Sequence, residues 1–372
     1  MSTSREFDHH IDPVSFNRSG LTVSLTTEEI ERAGLLEILQ TPGPLLMSGA
    51  ILDALLSDKA QFIFSQPLGQ AREVKVALSG LFGRFVARAY LTKVHDYLIF
   101  EHLSHANLTF EGGQTTIEKC SQGDLPDWAV WRAKSRDLTI AEAKGSHEFP
   151  EPSKTLERAW RQANRVEVLR NGKPESVGRI AIVTRWGIEH TDLSETRIDV
   201  QASAAAPTAP QGDLEGVIVD LARGHYAALL SRLGHIELAD AMLSQRRHSP
   251  RDPRQSRLQD SLSAFERAPS RRLRGDSRSD IANEMIGNVV VRSGPLREGS
   301  DLSPADQEAL ARLDLKPVFV GVDRSVIRPL IQGDLAAFES ALALSRVGAP
   351  DEVDNDGAGT FIQRLGEGFT ID

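Results

Sequence analysis

In residues 123–147, GDLPDWAVWRAKSRDLTIAEAKGSH, two short apolar runs stand either side of a polar hexapeptide, and this stretch restricts the fold most tightly. WAVW and LTIAEA have the aromatic and β-branched character of strands, and RAKSRD between them has turn chemistry, so a β-hairpin is predicted. Residues i and i+2 of a strand share a face, which sets Glu142 and Lys144 on one side and turns Ala143 the other way, towards packing. Closure of the hairpin brings Asp127, which opens the first strand, to the end of the second. Two carboxylates and one ammonium are therefore expected to converge.

A carboxylate pair in such a corner repels itself, each member raising the other's pKa at a cost of about 1.4 kcal/mol per unit. A hard divalent cation removes that repulsion. One or two carboxylates, with water and substrate phosphate in the remaining positions, describe a Mg²⁺ site in an enzyme that handles phosphates. An ammonium beside it can hold the attacking water or offset charge developing on the phosphoryl oxygens. Hydrolysis of a phosphodiester is the expected chemistry.

Pro126-Asp127, two apolar strands and then Glu142-Ala143-Lys144-Gly145 resemble the PD-(D/E)XK, restriction-endonuclease-like nucleases, over roughly residues 74–187. The resemblance implies an α/β core with a mixed central sheet flanked by helices. It also implies Asp127 and Glu142 as metal ligands, the Ala143 carbonyl as a further ligand and Lys144 as the catalytic lysine, with Mg²⁺ as cofactor, Mn²⁺ as its substitute and DNA as substrate. Gln162 matches the glutamine that a helix of the family aims into the site. One position departs from the pattern. Where the family often has Gly-Glu in the helix before the hairpin, this chain has Gly83-Arg84, leaving Glu101 or Glu73 as substitutes for a third carboxylate and Arg84 as a phosphate contact or a plain surface arginine.

The triplet alone is a cheap signal. With 52 acidic residues and nine lysines, acid-x-Lys occurs three times, also as Glu73-Val74-Lys75 and Asp314-Leu315-Lys316, and context singles out Glu142. The plain alternative is an exposed hairpin carrying a solvated glutamate and lysine. Flanking patterns support the first reading. REVKVALSGLFGRFVARAYLTKV has Val76, Leu78, Leu81, Phe85, Val86, Ala89 and Tyr90 at helical spacing, so a long helix packed on the sheet is predicted. SKTLERAWRQANRVEVL predicts an amphipathic helix with Leu156, Ala159, Trp160, Ala163 and Val166 inward. Its opposite face carries Lys154, Arg158, Arg161 and Arg165 with no acid interleaved, which is either a row of phosphate contacts or a solvated helix face. GRIAIVTRWG then supplies an interior strand from Ile180 to Val183.

At 372 residues the chain has room for two domains or one elaborated domain. A helical N-terminal elaboration is expected over 1–72, from TTEEIERAGLLEIL and SGAILDALLSDKA, followed by the nuclease-like core over 73–201. A linker and helical segment should occupy 202–245, an Arg-rich linker 246–282, a small α/β region 283–349 and an acidic tail 350–372. The stretch 246–278 carries ten arginines against four acids and can serve as a DNA-contacting arm or as solvated disorder. His9 and His10 are expected at the surface. The formal net charge of −9 has the wrong sign for a protein that coats itself in nucleic acid, so any DNA contact must be local. A single cysteine, Cys120, excludes an internal disulfide, and the lack of a leader or a bilayer-length apolar run fits a cytoplasmic protein with no membrane partner.

The expected function is a Mg²⁺-dependent DNA endonuclease, with defence against foreign DNA suggested by analogy alone. The alternatives are a nuclease-like module that binds DNA or protein without cutting, and a repair or RNA nuclease. A homodimer, or a protein partner at the C-terminal region, is compatible with each.

Overall fold

The computed structural model describes residues 4–12, 21–41, 56–57, 59–65, 72–104, 107–110, 114–133, 138–147, 152–189, 195–203, 214–246, 254–270, 273–274, 284–291, 294–295, 318–347, 354–364 and 370–371. The chain is mixed α/β and forms two compact units, one of residues 1–38, 48–108 and 114–212 and one of residues 39–47, 109–113 and 213–372.

The elements of the first unit run β1 (Ser4–Asp12), β2 (Leu21–Thr26), α1 (Thr27–Gln40), α2 (Arg72–His95), β3 (Tyr97–His102), β4 (Thr115–Lys119), β5 (Trp128–Arg132), β6 (Thr139–Ser146), α3 (Pro152–Ala163), β7 (Val166–Arg170), β8 (Gly178–Arg185) and β9 (Arg197–Ser203). Seven strands make one large mixed sheet in the order β2-β1-β9-β8-β6-β5-β3. The β1/β9 and β6/β8 pairs are parallel and the others antiparallel. β4 and β7 pair in a separate small sheet.

Alternation along β8 shows why helices cover both faces. Ile180 and Ile182 join Phe82, Phe85, Val86 and Tyr90 of α2 in one core, whereas Ala181 and Val183 meet Leu156 and Ala159 of α3 in another. Each face of the strand buries its own apolar set. Helix α2 reaches the sheet because two glycines meet: a Cβ on Gly83 would collide with the backbone of Gly145, and one on Gly145 with the carbonyl of Ser79. This contact seats α2 against the end of β6, beside Lys144. At the start of α1, Thr26 and Glu29 form a reciprocal capping box, Glu29 N donating to Thr26 Oγ1 at 3.1 Å and Thr26 N to Glu29 Oε2 at 2.8 Å.

Several expectations change here. The N-terminal region is not only a helical elaboration, since β1 and β2 extend the main sheet. The inward positions of β1 are Arg5, Phe7 and His9, and two polar residues there conceal the period-2 pattern. His9 is buried, not at the surface, and shares a 2.7 Å hydrogen bond with the Tyr90 hydroxyl. The helix expected over 48–60 lies largely outside the described residues. Helix α3 stops at Ala163, so Val166 packs from β7 and not from a helical stripe.

The second unit contains α4 (Glu215–Arg232), α5 (Ile236–Arg246), α6 (Arg254–Arg267), β10 (Met285–Val291), β11 (Val318–Asp323), α7 (Arg324–Gln332), α8 (Leu335–Val347) and β12 (Thr360–Arg364). Antiparallel β10, β11 and β12 are consecutive in its sheet. The Arg-rich stretch is not simply a linker: α6 buries Ala264 and Phe265, and Arg324 lies 4.3 Å from the Phe265 ring while donating to the Phe265 and Ala268 carbonyls. The acidic tail likewise contributes β12, whose Ile362 pairs with Val320. The linker expected from residue 202 begins two residues late, because Ala202 and Ser203 end β9, and residues 204–213 and 296–317 lie outside the described residues. Among the described residues no helix is long and apolar enough to cross a membrane.

Candidate functional site

β5 and β6 form the expected antiparallel pair, with Trp128 opposite Ala141. One step further along the ladder, Asp127 meets Glu142. The backbone N–H of Asp127 donates to Glu142 Oε2 at 3.1 Å, and that of Ala143 donates to Asp127 Oδ2 at 2.8 Å. Each carboxylate is thus tied to the strand that carries the other. Lys144 completes the group, its Nζ 2.6 Å from Glu142 Oε1. Side-chain exposure rises from 0% at Glu142 through 16% at Asp127 to 37% at Lys144, so the group opens towards solvent on the lysine side.

Burial, reinforced by the charge of Asp127 and a hydrogen bond between the two carboxyl groups, pushes the Glu142 carboxyl up to about 9. Lys144 pulls the other way without prevailing. Glu142 Oε1 is buried and makes no hydrogen bond of good geometry, although the Lys144 ammonium lies against it. Two adjoining carboxyl groups, one of them neutral for want of positive charge, suit a hard cation with oxygen ligands. Among the described residues no group of three or more His, Cys, Asp or Glu side chains could hold a metal ion. An ion here would rest on Asp127 and Glu142, with the Ala143 carbonyl, water and substrate oxygens as remaining ligands.

On the far side of Asp127 lies a cluster that local sequence patterns did not single out. Glu37 of α1 is 1% exposed, with Arg84 Nη2 at 2.7 Å, Arg88 Nη1 at 3.3 Å and His102 Nε2 at 3.3 Å, and it accepts from Trp128 Nε1 at 3.2 Å. Burial favours its neutral form, but His102, Arg84 and Arg88 outweigh burial and hold the carboxyl well below the usual range. Arg84 Nε is also 3.4 Å from Asp127 Oδ1. Burial would lower the Arg84 pKa, yet Glu37, Asp127 and Glu142 together raise it. Arg84 is therefore committed to carboxylates of this chain and does not stand free for a phosphate. A signal for this cluster was present: Glu37 follows Ile30 and Ala33 at helical spacing, and Arg88 follows Phe85, so both charges sit on apolar stripes.

The other candidates divide. Gln162 is buried and donates from Nε2 to the Leu125 carbonyl at 2.7 Å, fastening the segment that leads into Asp127. Arg165 lies beyond the end of α3 and donates to the Asp124 carbonyl at 3.2 Å, so it is not a fourth member of the helical row. Lys154, Arg158 and Arg161 are exposed on α3. Contrary to the expectation of an acid-free face, Arg161 pairs with Glu157 at 3.2 Å. Glu73 is exposed in the first turn of α2, and Glu101 is buried in β3 opposite Ala129. The carboxylates that meet Arg84 are Glu37 and Asp127.

No family model, curated protein or solved structure matches the chain.

Proposed function

We propose that the chain is a Mg²⁺-dependent nuclease of restriction-endonuclease-like type that hydrolyses DNA phosphodiester bonds. The observation that carries this reading is the interlocked Asp127–Glu142 pair with Lys144 against Glu142 on adjacent antiparallel strands. A divalent ion held there would supply Lewis-acid polarisation of a phosphate oxygen and a more acidic water. Asp127 and Glu142 would hold it, their positions set by each other's backbone. Lys144, part exposed at the mouth of the group, would orient the attacking water and offset charge on the phosphoryl oxygens. Gln162 would keep the segment before Asp127 in place, and Lys154, Arg158 and Arg161 would meet the nucleic-acid backbone without reading its sequence. Defence against foreign DNA is a biological setting consistent with such an activity.

One feature favours a second reading, a module that binds without cutting: Arg84 takes the position of a family glutamate and engages Asp127. Incubation of supercoiled plasmid with the protein and Mg²⁺, beside Glu142→Ala and Lys144→Ala, separates the two. Metal-dependent nicking in the unmodified chain alone supports the nuclease. Retained DNA binding with no cleavage in Mg²⁺ or Mn²⁺ favours the binding module, and RNA and branched DNA in the same assay locate the substrate.

A further inference from the structure

We infer that Arg84, anchored by Glu37, takes the place of a second cation beside Asp127 and confines the site to one divalent ion. The inference rests on the metal-dependent reading above and specifies its charge arrangement. Two carboxylates lie within reach of one guanidinium: Glu37 at 2.7 Å and Asp127 at 3.4 Å. Had Arg84 been a neutral side chain, Glu37 and Asp127 would form a second acidic pair next to the first. With Arg84 between them, that second pair already has its counter-ion, and a covalently attached cation needs no binding from solution.

Geometry shows the arginine to be built in. Its Nη2 lies 3.1 Å from His102 Nδ1, and its Cζ lies 5.6 Å from the Trp128 ring centroid, on the strand that Asp127 opens. Gly83, the preceding residue, lies against the backbone of Gly145 in β6, so Arg84 follows a close helix–strand contact. Arg88 gives Glu37 a second cationic partner, which allows Glu37 to hold Arg84 without depending on it alone. The departure from the family pattern thus has an electrostatic consequence, since Arg84 neutralises one oxygen of Asp127 and leaves the Glu142 side of the pair open to an ion.

Titration of the full-length, metal-stripped chain with Mn²⁺, with free ion followed by electron paramagnetic resonance, tests this directly. The unmodified chain is expected to take one ion. Arg84→Gln should bind Mn²⁺ at least about tenfold more tightly, or bind a second ion, because a positive charge a few ångströms from Asp127 is gone. Should that variant fail to fold, Arg84→Met, which keeps an extended side chain without its charge and leaves Glu37 with Arg88, should show the same gain. Two ions in the unmodified chain, or one ion bound no more tightly in a folded variant, overturns the inference and leaves the nuclease reading standing. Absence of Mn²⁺ binding in the unmodified chain overturns both.

Discussion

Two buried glutamates of the first unit have opposite surroundings. Glu37 lies among Arg84, Arg88, His102 and the Trp128 N–H, and those partners keep it charged. Glu142 lies beside Asp127 with a single part-exposed lysine, and burial leaves it neutral. The first is a finished ion-pair cluster whose removal would leave cations stranded. The second is short of positive charge, the state expected of a ligand group whose ion comes from solution. Burial alone says little about a carboxylate's role; the charge within hydrogen-bond reach decides it.

Neutral replacements should separate the two sites. Glu37→Gln strands Arg84 and Arg88 in a buried setting and is expected to cost about 3–5 kcal/mol of unfolding free energy, measured by chemical denaturation. Glu142→Gln replaces a carboxyl that is already neutral, so in the presence of a chelator its stability should equal or exceed that of the parent, while metal-dependent nicking falls about a hundredfold or more. An equal loss of stability in both variants would erase the distinction.

The pH dependence should differ in sign. Glu37 titrates below its ordinary value in the folded chain, so its stabilisation is present above that ordinary value, about 4.5, and is lost as pH falls towards the folded value. The gap between parent and Glu37→Gln should narrow in acid. Glu142 titrates above its ordinary value, so between about 4.5 and about 9 the unfolded chain has released a proton that the folded chain retains. Metal-free Glu142→Gln should therefore gain on the parent as pH rises through that window. Denaturation series at several pH values, in chelator, check both slopes.

Smaller effects sharpen the edges of the same corner. Gln162→Ala removes one buried hydrogen bond to the segment before Asp127 and should cost about 1 kcal/mol, with weaker Mn²⁺ binding as the accompanying change. The smallest effect belongs to Arg158→Ala, which should weaken DNA binding uniformly across sequences and reduce the salt-dependence slope by about one. Binding that changes with sequence in this variant would contradict a backbone contact.

The parts of this arrangement that could be read from sequence are those governed by short-range periodicity. The β5–β6 hairpin, the long α2 and interior β8 follow from alternation, helical spacing and an unbroken apolar run, and the register of the hairpin brings Asp127 to Glu142. What escaped depends on contacts distant in sequence or on where an element stops. Arg5 and His9 face inwards because Ser57, Lys59 and Tyr90 receive them, which a local window cannot show. Arg165 joins the wrong face of a predicted helix because α3 ends two residues earlier with no glycine or proline to mark the stop; Asn164 instead donates from its side chain to the Trp160 carbonyl at 2.7 Å. In the Arg-rich stretch, high polarity hid the few apolar positions by which α6 packs.

Calorimetry of Mn²⁺ binding at neutral pH, in buffers of different ionisation enthalpy, is the most direct test that the Asp127–Glu142 corner is a cation site. Saturable binding should release about one proton per ion, because a carboxyl raised to about 9 must ionise to become a ligand, and Glu142→Gln should abolish both the binding and the release. Binding that persists unchanged in Glu142→Gln, or no binding in the unmodified chain, would contradict it.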